Sequence, residues 1–318
     1  MKLVYTDAYT LNPGDLDWAR IEALGDVTFY DRTTPEQLLD RIRDAELVLV
    51  NKVRINRELL DQLPKLRYIG VTATGYDIID LAAAKEKGVV VTNVRGYSSN
   101  SVAQLTFALL LELTLQVGRH STSVHEGDWV ASPDFSYSKS PLVELAGKTM
   151  GLVGYGDIGK SVAAIAKAFG MNVLVNRRHP KPDAGDEIQY VDQETLFSQS
   201  DVVSLHCPAT PDTIGFVNQT LLSLMKPSAY LINTSRGNLI NEADLASALN
   251  GGKLAGAGLD VLAAEPPRAD NPLLTAQNCI ITPHIAWASR EARQRLMHLV
   301  ADNVQAFLDN KPQNVVNP

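Results

Sequence analysis

Short apolar runs alternate with amphipathic segments along almost the whole chain. In the first third, the segments between these runs carry apolar residues at helical spacing, and the runs themselves have the length of buried strands, at residues 2–6, 27–30, 47–50, 67–71 and 89–92. Strands that alternate with helices in this way are typical of a parallel sheet covered by helices. The pattern therefore predicts an α/β fold.

A second alternating series begins near Lys148, after a long helix that follows Gly96. Its predicted strands are residues 149–153, 172–176, 201–206, 229–234, 254–261 and 278–282. The last helix, at about residues 290–309, has no strand after it, so we expect it to pack on the first series. We predict two Rossmann-like, doubly wound parallel-sheet domains, residues 1–98 plus 288–318 and residues 99–287, with an active-site cleft between them.

The first strand of the second series ends in a glycine motif. Residues 151–160 read GLVGYGDIGK, in which Gly154, Gly156 and Gly159 fill the pattern GxGxxG. There the first glycine permits a tight turn, the second lets the backbone approach a pyrophosphate, and the third lets helix and strand pack closely. Glycines also mark ordinary turns, but the apolar strand before the motif and the amphipathic helix after it favour a dinucleotide site.

Composition and charge narrow the class of partner. The chain has 318 residues, of which 45% are apolar, and a formal net charge of -7 with a pI near 5.4. This charge provides no general basic field for nucleic acid or an anionic membrane surface, which favours a small-molecule partner. Cys207 and Cys279 are too few for a disulfide framework and lack zinc spacing, and the N-terminus does not have a signal-peptide pattern. We expect a cytoplasmic protein that binds no nucleic acid, membrane or metal.

Four polar residues lie at or just after predicted strand ends of the second series, where open α/β sheets bind ligands. They are Arg236 in INTSRG, Asp260 in GLDV, Glu265 in AAEPP and His284 in ITPHIA. An arginine there can pair with a carboxylate, and a histidine can supply a proton while a glutamate orients its imidazole. The alternatives are a surface arginine, a structural histidine and a turn glutamate, and spacing alone leaves them open.

Six motifs carry a resemblance to a known family over essentially the whole chain. They are GVTATGYDIID at 70–80, ELAGKTMGLVGYGDIGK at 144–160, SLHCPAT at 204–210, LINTSRGNLI at 231–240, GLDVLAAEPP at 258–267 and ITPHIAWAS at 281–289. With these motifs in this order, the chain resembles the D-isomer-specific 2-hydroxyacid dehydrogenases, most closely the glycerate dehydrogenase and hydroxypyruvate (glyoxylate) reductase group.

The resemblance implies an enzyme that reduces a small 2-oxo acid, with hydroxypyruvate or glyoxylate favoured, by hydride transfer from NAD(P)H. It implies that Arg236, Glu265 and His284 are the catalytic set, with Arg236 on the substrate carboxylate and His284 as the acid. It also implies a homodimer formed through the region 98–141. The alternatives are a different D-2-hydroxyacid dehydrogenase, such as a D-lactate or phosphoglycerate dehydrogenase, and a cofactor-sensing interaction protein similar to corepressors that share this fold.

The resemblance extends to the binding residues. Residues 1–98 plus 288–318 would form the substrate domain, with contacts from Thr74 and Gly75 besides Arg236 and His284. Lys52 is a further candidate for substrate binding in the acyl pocket, but it is equally compatible with packing or an interface. The cofactor would contact Val102, Gly154, Tyr155, Gly156, Asp157, Ile158, Gly159, Asn176, Arg177, Arg178, His206, Cys207, Pro208, Thr213, Thr234, Ser235 and Asp260. Aromatic side chains for an acyl pocket, each equally compatible with packing or an interface, are Tyr76, Trp129, Phe135, Tyr137 and Trp287.

Cofactor choice depends on the end of the second strand of this series. An acidic residue about 20 positions after the glycine motif usually accepts the ribose hydroxyls of NAD. Here the residues are Asn176, Arg177 and Arg178, and no acidic residue occurs before Asp183. Two guanidinium groups suit a 2′-phosphate, so we predict NADP(H) over NAD(H). The alternative is that both arginines are solvated and NAD is used.

Overall fold

The chain forms two compact α/β units. We describe them from a computed structural model that covers residues 1–179 and 188–318. Unit 1 comprises Met1–Ser98 and Trp287–Pro318, and unit 2 comprises Ser99–Ala286. The chain therefore leaves unit 1 once and returns to it after unit 2.

Unit 1 contains a five-stranded sheet in the order β2-β1-β3-β4-β5 in which every pair is parallel. Its elements are β1 (Lys2–Tyr5), α1 (Ala19–Glu22), β2 (Asp26–Phe29), α2 (Pro35–Ile42), β3 (Leu47–Val50), α3 (Arg57–Leu60), β4 (Tyr68–Val71), α4 (Leu81–Glu86) and β5 (Val90–Thr92).

Alternate residues of these strands pack on opposite faces, as the two-residue period of a strand requires. Val4 and Val48 pack in the same cluster as Ile42 of α2, whereas Leu3 and Leu47 belong to the cluster on the other face. That second cluster includes the last helix of the chain, α11 (Arg290–Leu308), through Leu296, Val300 and Val304. The expectation that the last helix packs on the first series is therefore confirmed.

Unit 2 contains a seven-stranded sheet in the order β12-β11-β10-β9-β6-β7-β8, again entirely parallel. The elements of unit 2 are α5 (Ser99–Leu115), α6 (Val117–His125), β6 (Thr149–Val153), α7 (Asp157–Ala168), β7 (Asn172–Asn176), β8 (Gln189–Tyr190), α8 (Gln193–Gln199), β9 (Val202–Leu205), α9 (Gln219–Leu224), β10 (Tyr230–Asn233), α10 (Glu242–Asn250), β11 (Gly256–Leu259) and β12 (Cys279–Ile281). The last helix, α11 (Arg290–Leu308), belongs to unit 1.

The strand order of unit 2 reverses at β6, whose neighbours are β7 on one side and β9 on the other. Helices α5 and α7 contribute to the cluster on one face, and α8, α9 and α10 to the cluster on the other. Covering both faces of a parallel sheet is what buries its continuous apolar strands. The predicted α/β class with two Rossmann-like parallel sheets is confirmed.

Several predicted elements differ from the observed ones. The short strand β8 and the helix α6 lie outside the elements predicted from the sequence. Between α5 and α6, Gln116 has a φ of 47°, so the chain turns there in the left-handed region.

Among the described residues no single helix is long and apolar enough to cross a membrane. Helices α5 and α6, which are bent by 56° relative to each other, meet that test only when they are taken as a pair.

A stability prediction follows from the close contact between β6 and α8. A Cβ added at Gly151 would lie 2.2 Å from Ser200 Oγ and 2.7 Å from Leu196 Cδ2, whereas one added at Gly156 would meet no described atom within 4 Å. Because overpacking a buried site forces its neighbours apart, we expect Gly151→Ala to lower the free energy of unfolding by about 1–3 kcal/mol. Gly156→Ala serves as the matched control. Equal unfolding free energies for the two variants in urea titrations would contradict the prediction.

Candidate functional site

The glycine motif forms a tight turn between β6 and α7. Gly154 has a φ of 98°, and a Cβ there would lie 2.5 Å from the carbonyl oxygen of His206. A Cβ at Gly159 would lie 2.6 Å from the carbonyl oxygen of Gly154. These two glycines are therefore needed for backbone packing within the turn.

The same turn fits a dinucleotide. Gly156 precedes α7, and no described side chain caps that helix or lies within 4 Å of a Cβ placed on Gly156. The helix N-terminus consequently presents its N–H groups and the positive end of its dipole to open space, which suits a pyrophosphate. Ile158 packs on the core beneath, and Asp157 is exposed in the first helical turn, where acids are favoured. Tyr155 is buried against Tyr190, with 6.5 Å between ring centroids.

Strands β9 and β10 end in loops that are tied together. The side-chain amide of Asn233, the last residue of β10, donates to the carbonyl oxygen of Arg236 at 2.8 Å and accepts from the N–H of Ser235 at 3.0 Å. The Ser235 hydroxyl donates to the carbonyl oxygen of Cys207 at 2.8 Å. These bonds fix the backbone on which the Arg236 guanidinium is carried.

The Arg236 loop also touches the loop that follows β11. A Cβ at Gly237 would lie 1.9 Å from the carbonyl carbon of Leu262, so no other residue fits this crossing. The N–H of Leu262 in turn donates to a carboxylate oxygen of Glu265 at 3.3 Å. The Arg236 and Glu265 loops are thus in backbone contact at the carboxyl end of neighbouring strands.

His284 and Glu265 form a direct pair. His284 Nδ1 lies 2.6 Å from Glu265 Oε2, and each side chain is about a quarter to a third exposed, at 26% and 34%. With Nδ1 engaged by a carboxylate, the tautomer and ring orientation of the imidazole are restrained and Nε2 is left for chemistry. His284 has a φ of 55°, which is unusual for a residue with a side chain.

Asp260 holds the backbone on both sides of His284. Its buried carboxylate accepts from the Thr282 hydroxyl at 2.6 Å and from the N–H groups of Ile285 and Ala286 at 2.9 and 2.8 Å. Its carbonyl oxygen accepts from the N–H of His284 at 2.8 Å. Burial raises the pKa of the Asp260 carboxyl, and these donors partly offset the rise.

Val102 and Thr234, two of the predicted cofactor contacts, lie on two elements that meet in the structure. Thr234, just after β10, has its hydroxyl 3.2 Å from the hydroxyl of Thr106 on α5. Thr106 also donates to the carbonyl oxygen of Val102, one helical turn earlier, at 2.9 Å. Val102 and Thr234 therefore lie near each other, both buried. Their predicted contact with the nicotinamide ring stays a prediction.

The loop after β9 carries the remaining predicted cofactor contacts. His206 Nε2 lies 2.9 Å from the hydroxyl of Ser204, and burial lowers the pKa of His206 to about 4. Burial raises the pKa of the Cys207 thiol to about 11, as expected for a packed thiol and not for a nucleophile. The Thr213 hydroxyl donates to the carbonyl oxygen of Pro208 at 2.8 Å, which folds the loop back on itself.

The end of β7 presents the residues on which the cofactor prediction depends. The Asn176 side-chain amide donates to the carbonyl oxygen of Val191 at 3.0 Å, so this residue braces the strand end. Arg177 is half-buried, and Arg178 is exposed and forms an ion pair with Asp212. Asp183 lies outside the described residues.

In unit 1, the predicted substrate residues follow β3 and β4. The Thr74 hydroxyl donates to the carbonyl oxygen of Val94 at 2.9 Å, and Gly75 follows it in the same half-buried turn. The N–H of Lys52 donates to the buried Asp7 carboxylate at 2.6 Å, while its side chain is exposed. Asp7 lies two residues after β1, where the chain has no glycine motif. Its carboxylate fixes the Lys52 backbone.

The aromatic candidates for an acyl pocket have partners within their own units. In unit 2, Trp129 Nε1 donates to the carbonyl oxygen of Phe135 at 3.0 Å and the Tyr137 hydroxyl lies 2.7 Å from that of Ser123. In unit 1, Tyr76 and Trp287 pack on the two core clusters. Their role in substrate binding stays a prediction. Within the described part of the chain, no group of three or more His, Cys, Asp or Glu side chains could hold a metal ion.

Three residues of this arrangement were not singled out from the sequence. Asn233, Gly237 and Thr282 bind no predicted ligand, but they hold the Arg236 and His284 loops in place through the contacts above. Each has a weak signal in the sequence, because each is a polar or small residue at a strand end or within four residues after one. That signal does not distinguish them from ordinary turn residues.

Known proteins are similar to this chain over most or all of its length. The model of the family described as D-isomer specific 2-hydroxyacid dehydrogenase, NAD binding domain, matches residues 107–286. A hydroxypyruvate reductase from Blautia hydrogenotrophica is 49% identical over 321 residues, covering 100% of both chains. A glycerate dehydrogenase from Methylorubrum extorquens is 46% identical over 290 residues, covering 90% of each. The solved structure of an acyclic imino acid reductase in complex with NADPH and D-Arg has a TM-score of 0.87 and 35% identity, over 99% of this chain and 100% of that one.

The half-buried His206 makes stability depend on pH. Its pKa falls from 6.5 to about 4 on folding, so the unfolded chain binds more protons between these pH values and stability falls as pH is lowered through them. Over the whole of this pH range, the difference in the His206 pKa changes the free energy of unfolding by about 3 kcal/mol. We expect His206→Asn to show a shallower loss of unfolding free energy between pH 6.5 and 4 than the parent protein. The exposed His125→Asn is the control, and identical slopes for parent and His206→Asn would refute the assignment.

Proposed function

The chain belongs to the D-isomer-specific 2-hydroxyacid dehydrogenase family, as its motifs predict, and we propose that it reduces hydroxypyruvate or glyoxylate to the D-2-hydroxy acid with NADP(H). The relatives named as hydroxypyruvate reductase and glycerate dehydrogenase support a small 2-oxo acid as substrate. The observation that carries the proposal is the 2.6 Å contact between His284 and Glu265 at the strand ends of the unit that holds the glycine turn.

When bound, the nicotinamide supplies the hydride that adds to the keto carbon. His284, protonated, donates the proton that completes the hydroxyl group, so that one hydride and one proton are consumed for each keto group. Glu265 holds the imidazole in position and stabilises its positive charge. Because the pair is only partly buried, it can exchange protons with solvent between turnovers.

Arg236 binds the substrate carboxylate and polarises the keto oxygen in this proposal. A guanidinium presents several N–H donors in a plane, which matches a carboxylate in a bidentate arrangement. The Arg236 loop is fixed by Asn233 and by the close approach of Gly237 to Leu262, so the guanidinium starts from an ordered backbone. Pre-positioned charges of this kind stabilise a developing alkoxide at little reorganisation cost. Contacts from Thr74 and Gly75 remain predictions by resemblance, and a contact from Lys52 remains a prediction.

The choice of NADP(H) rests on the two arginines after β7. None of Asn176, Arg177 and Arg178 offers a carboxylate to the ribose hydroxyls, and two positive charges suit a 2′-phosphate. The imino acid reductase, which is 35% identical to this chain, was solved in complex with NADPH, and this supports the proposed cofactor. We likewise propose a cytoplasmic location, in keeping with two free thiols, Cys207 and Cys279.

Assays of the whole protein test the activity directly. NADPH and NADH oxidation is followed with hydroxypyruvate, glyoxylate, pyruvate and phosphohydroxypyruvate as alternative substrates. We expect turnover with the first two and a higher kcat/KM with NADPH than with NADH. Absence of turnover with every 2-oxo acid, in protein that still binds the nucleotide, would favour the corepressor-like interaction protein instead.

The acid assignment predicts the effect of His284→Ala. Loss of a general acid lowers kcat by about 10²- to 10⁴-fold, because the forming alkoxide then has no positioned proton donor. NADPH binding, followed by nucleotide fluorescence, is expected to change little. His125→Ala, at an exposed histidine, is the matched control. Unchanged kcat in His284→Ala would show that another group supplies the proton.

We further propose a homodimer formed through the region 98–141. Six large apolar side chains in or next to this region are exposed in the single chain, namely Val117, Val124, Trp129, Val130, Phe135 and Leu142. A contiguous segment of this kind is typical of a protein interface, since exposed apolar patches on monomers are small. A second copy of the chain is the partner that the family resemblance implies.

The dimer proposal predicts the effect of a charge at Val130, which is 92% exposed. Light scattering is expected to give twice 34.6 kDa for the parent protein and a shift toward 34.6 kDa for Val130→Asp, because burial of an unpaired carboxylate opposes association. Leu274→Asp, at an apolar residue that is 45% exposed outside this region, is expected to leave the mass unchanged. A monomeric parent protein would refute the proposal.

A further inference from the structure

An ion pair joins two loops at the carboxyl ends of the unit 2 strands, beside the glycine turn. Arg178 Nη2, just after β7, contacts Asp212 Oδ2, on the loop after β9. The two side chains are 69% and 70% exposed. Strand β6 lies between β7 and β9 and ends in the glycine turn, so the pair joins the two loops that flank this turn.

This place is the point where the strand order reverses. In open α/β sheets, dinucleotides bind across the crevice outside such a point, with the ribose of the adenosine half near the end of the strand that follows the glycine turn. Here that strand is β7, and Arg178 is one of the two guanidinium groups at its end. Asp212 therefore places a negative charge directly on a group that the proposed function assigns to the 2′-phosphate.

We propose that Asp212 is a specificity-determining residue that weakens recognition of the 2′-phosphate by competing for Arg178. The inference rests on the proposed preference for NADP(H) and adds the residue that limits it. A phosphate with nearly two negative charges displaces the carboxylate from the guanidinium, but the Asp212 charge remains on a neighbouring loop and repels the phosphate.

The opposite effect, in which Asp212 orients Arg178 for the phosphate, is the weaker expectation. An ion pair this exposed restrains its side chains little, since such pairs contribute about 0–1 kcal/mol. The orienting benefit is accordingly small, whereas the repulsion acts in full once the phosphate is bound. The net effect of removing the Asp212 charge is tighter binding of any ligand that carries a 2′-phosphate.

Binding of two fragments to the full chain tests the inference without relying on turnover. The probes are 2′,5′-ADP and 5′-AMP, which differ only in the 2′-phosphate, titrated by calorimetry at low ionic strength. We expect Asp212→Asn to bind 2′,5′-ADP roughly two- to fivefold more tightly, in line with the strength of a surface ion pair, and to bind 5′-AMP as the parent does. The gain is expected to shrink at high salt, where exposed charges are screened.

A double-mutant cycle attributes the gain to Arg178. In an Arg178→Gln background, Asp212→Asn is expected to give a smaller gain in 2′,5′-ADP affinity, because only the direct repulsion between Asp212 and the phosphate remains once the shared guanidinium is gone. Asp302→Asn is the matched control, since it breaks the exposed Arg20–Asp302 pair of unit 1, and it is expected to leave both affinities unchanged.

Failure of this inference and failure of the proposed cofactor choice give different results. If the parent protein binds 2′,5′-ADP no better than 5′-AMP, the choice of NADP(H) is wrong, while a gain of discrimination in Asp212→Asn still supports the role of Asp212. If the parent discriminates but Asp212→Asn binds 2′,5′-ADP equally or more weakly, only the inference is overturned. An equal gain for both fragments overturns it as well, because the effect is then not directed at the 2′-phosphate.

Discussion

The arrangement of the candidate site depends on one buried carboxylate. Asp260 accepts from three donors on the chain around His284, and its backbone carbonyl accepts from His284 itself. A left-handed conformation such as that of His284 is unfavourable for a residue with a side chain, by about 1–3 kcal/mol, and persists only where its surroundings hold it. Hydrogen bonds on both sides of the residue provide that restraint. The contact between His284 and Glu265 therefore depends on a group buried behind the loop.

Both sheets could be predicted because their strands are buried on two faces and so form continuous apolar runs. The elements that escaped prediction lack such a run. Strand β8 has two residues and, within the described part of the chain, pairs with β7 alone at the sheet edge, so burial imposes little pattern on it. Helix α6 has one buried residue, Ser123, and begins after the left-handed Gln116, so its sequence has no apolar stripe. Residues that contact solvent on most sides carry little information about local structure.

The candidate catalytic residues could be singled out from the sequence, whereas the residues that support them could not. Arg236 and His284 are polar residues directly after buried strands, and this position has a general meaning in open α/β sheets. The need for glycine at Gly237 comes from the backbone of Leu262, a neighbour only in the folded chain. Likewise the importance of Thr282 follows from its bond to Asp260, 22 residues earlier. Support of this kind is a property of tertiary contacts, and a local motif does not express it.

A prediction of cofactor choice from the end of β7 also misses a tertiary contact. The residues Asn176, Arg177 and Arg178 indicate positive charge, but the field at this strand end also includes Asp212, which is 34 residues from Arg178 in the chain. Two unit charges 4 Å apart in water interact by about 1 kcal/mol, close to the 1.4 kcal/mol that corresponds to a tenfold change in affinity. One opposing carboxylate thus offsets much of what one guanidinium contributes. In the proposed role of Asp212, recognition of a 2′-phosphate is a balance of charges from two loops, and the end of β7 supplies only one side of it.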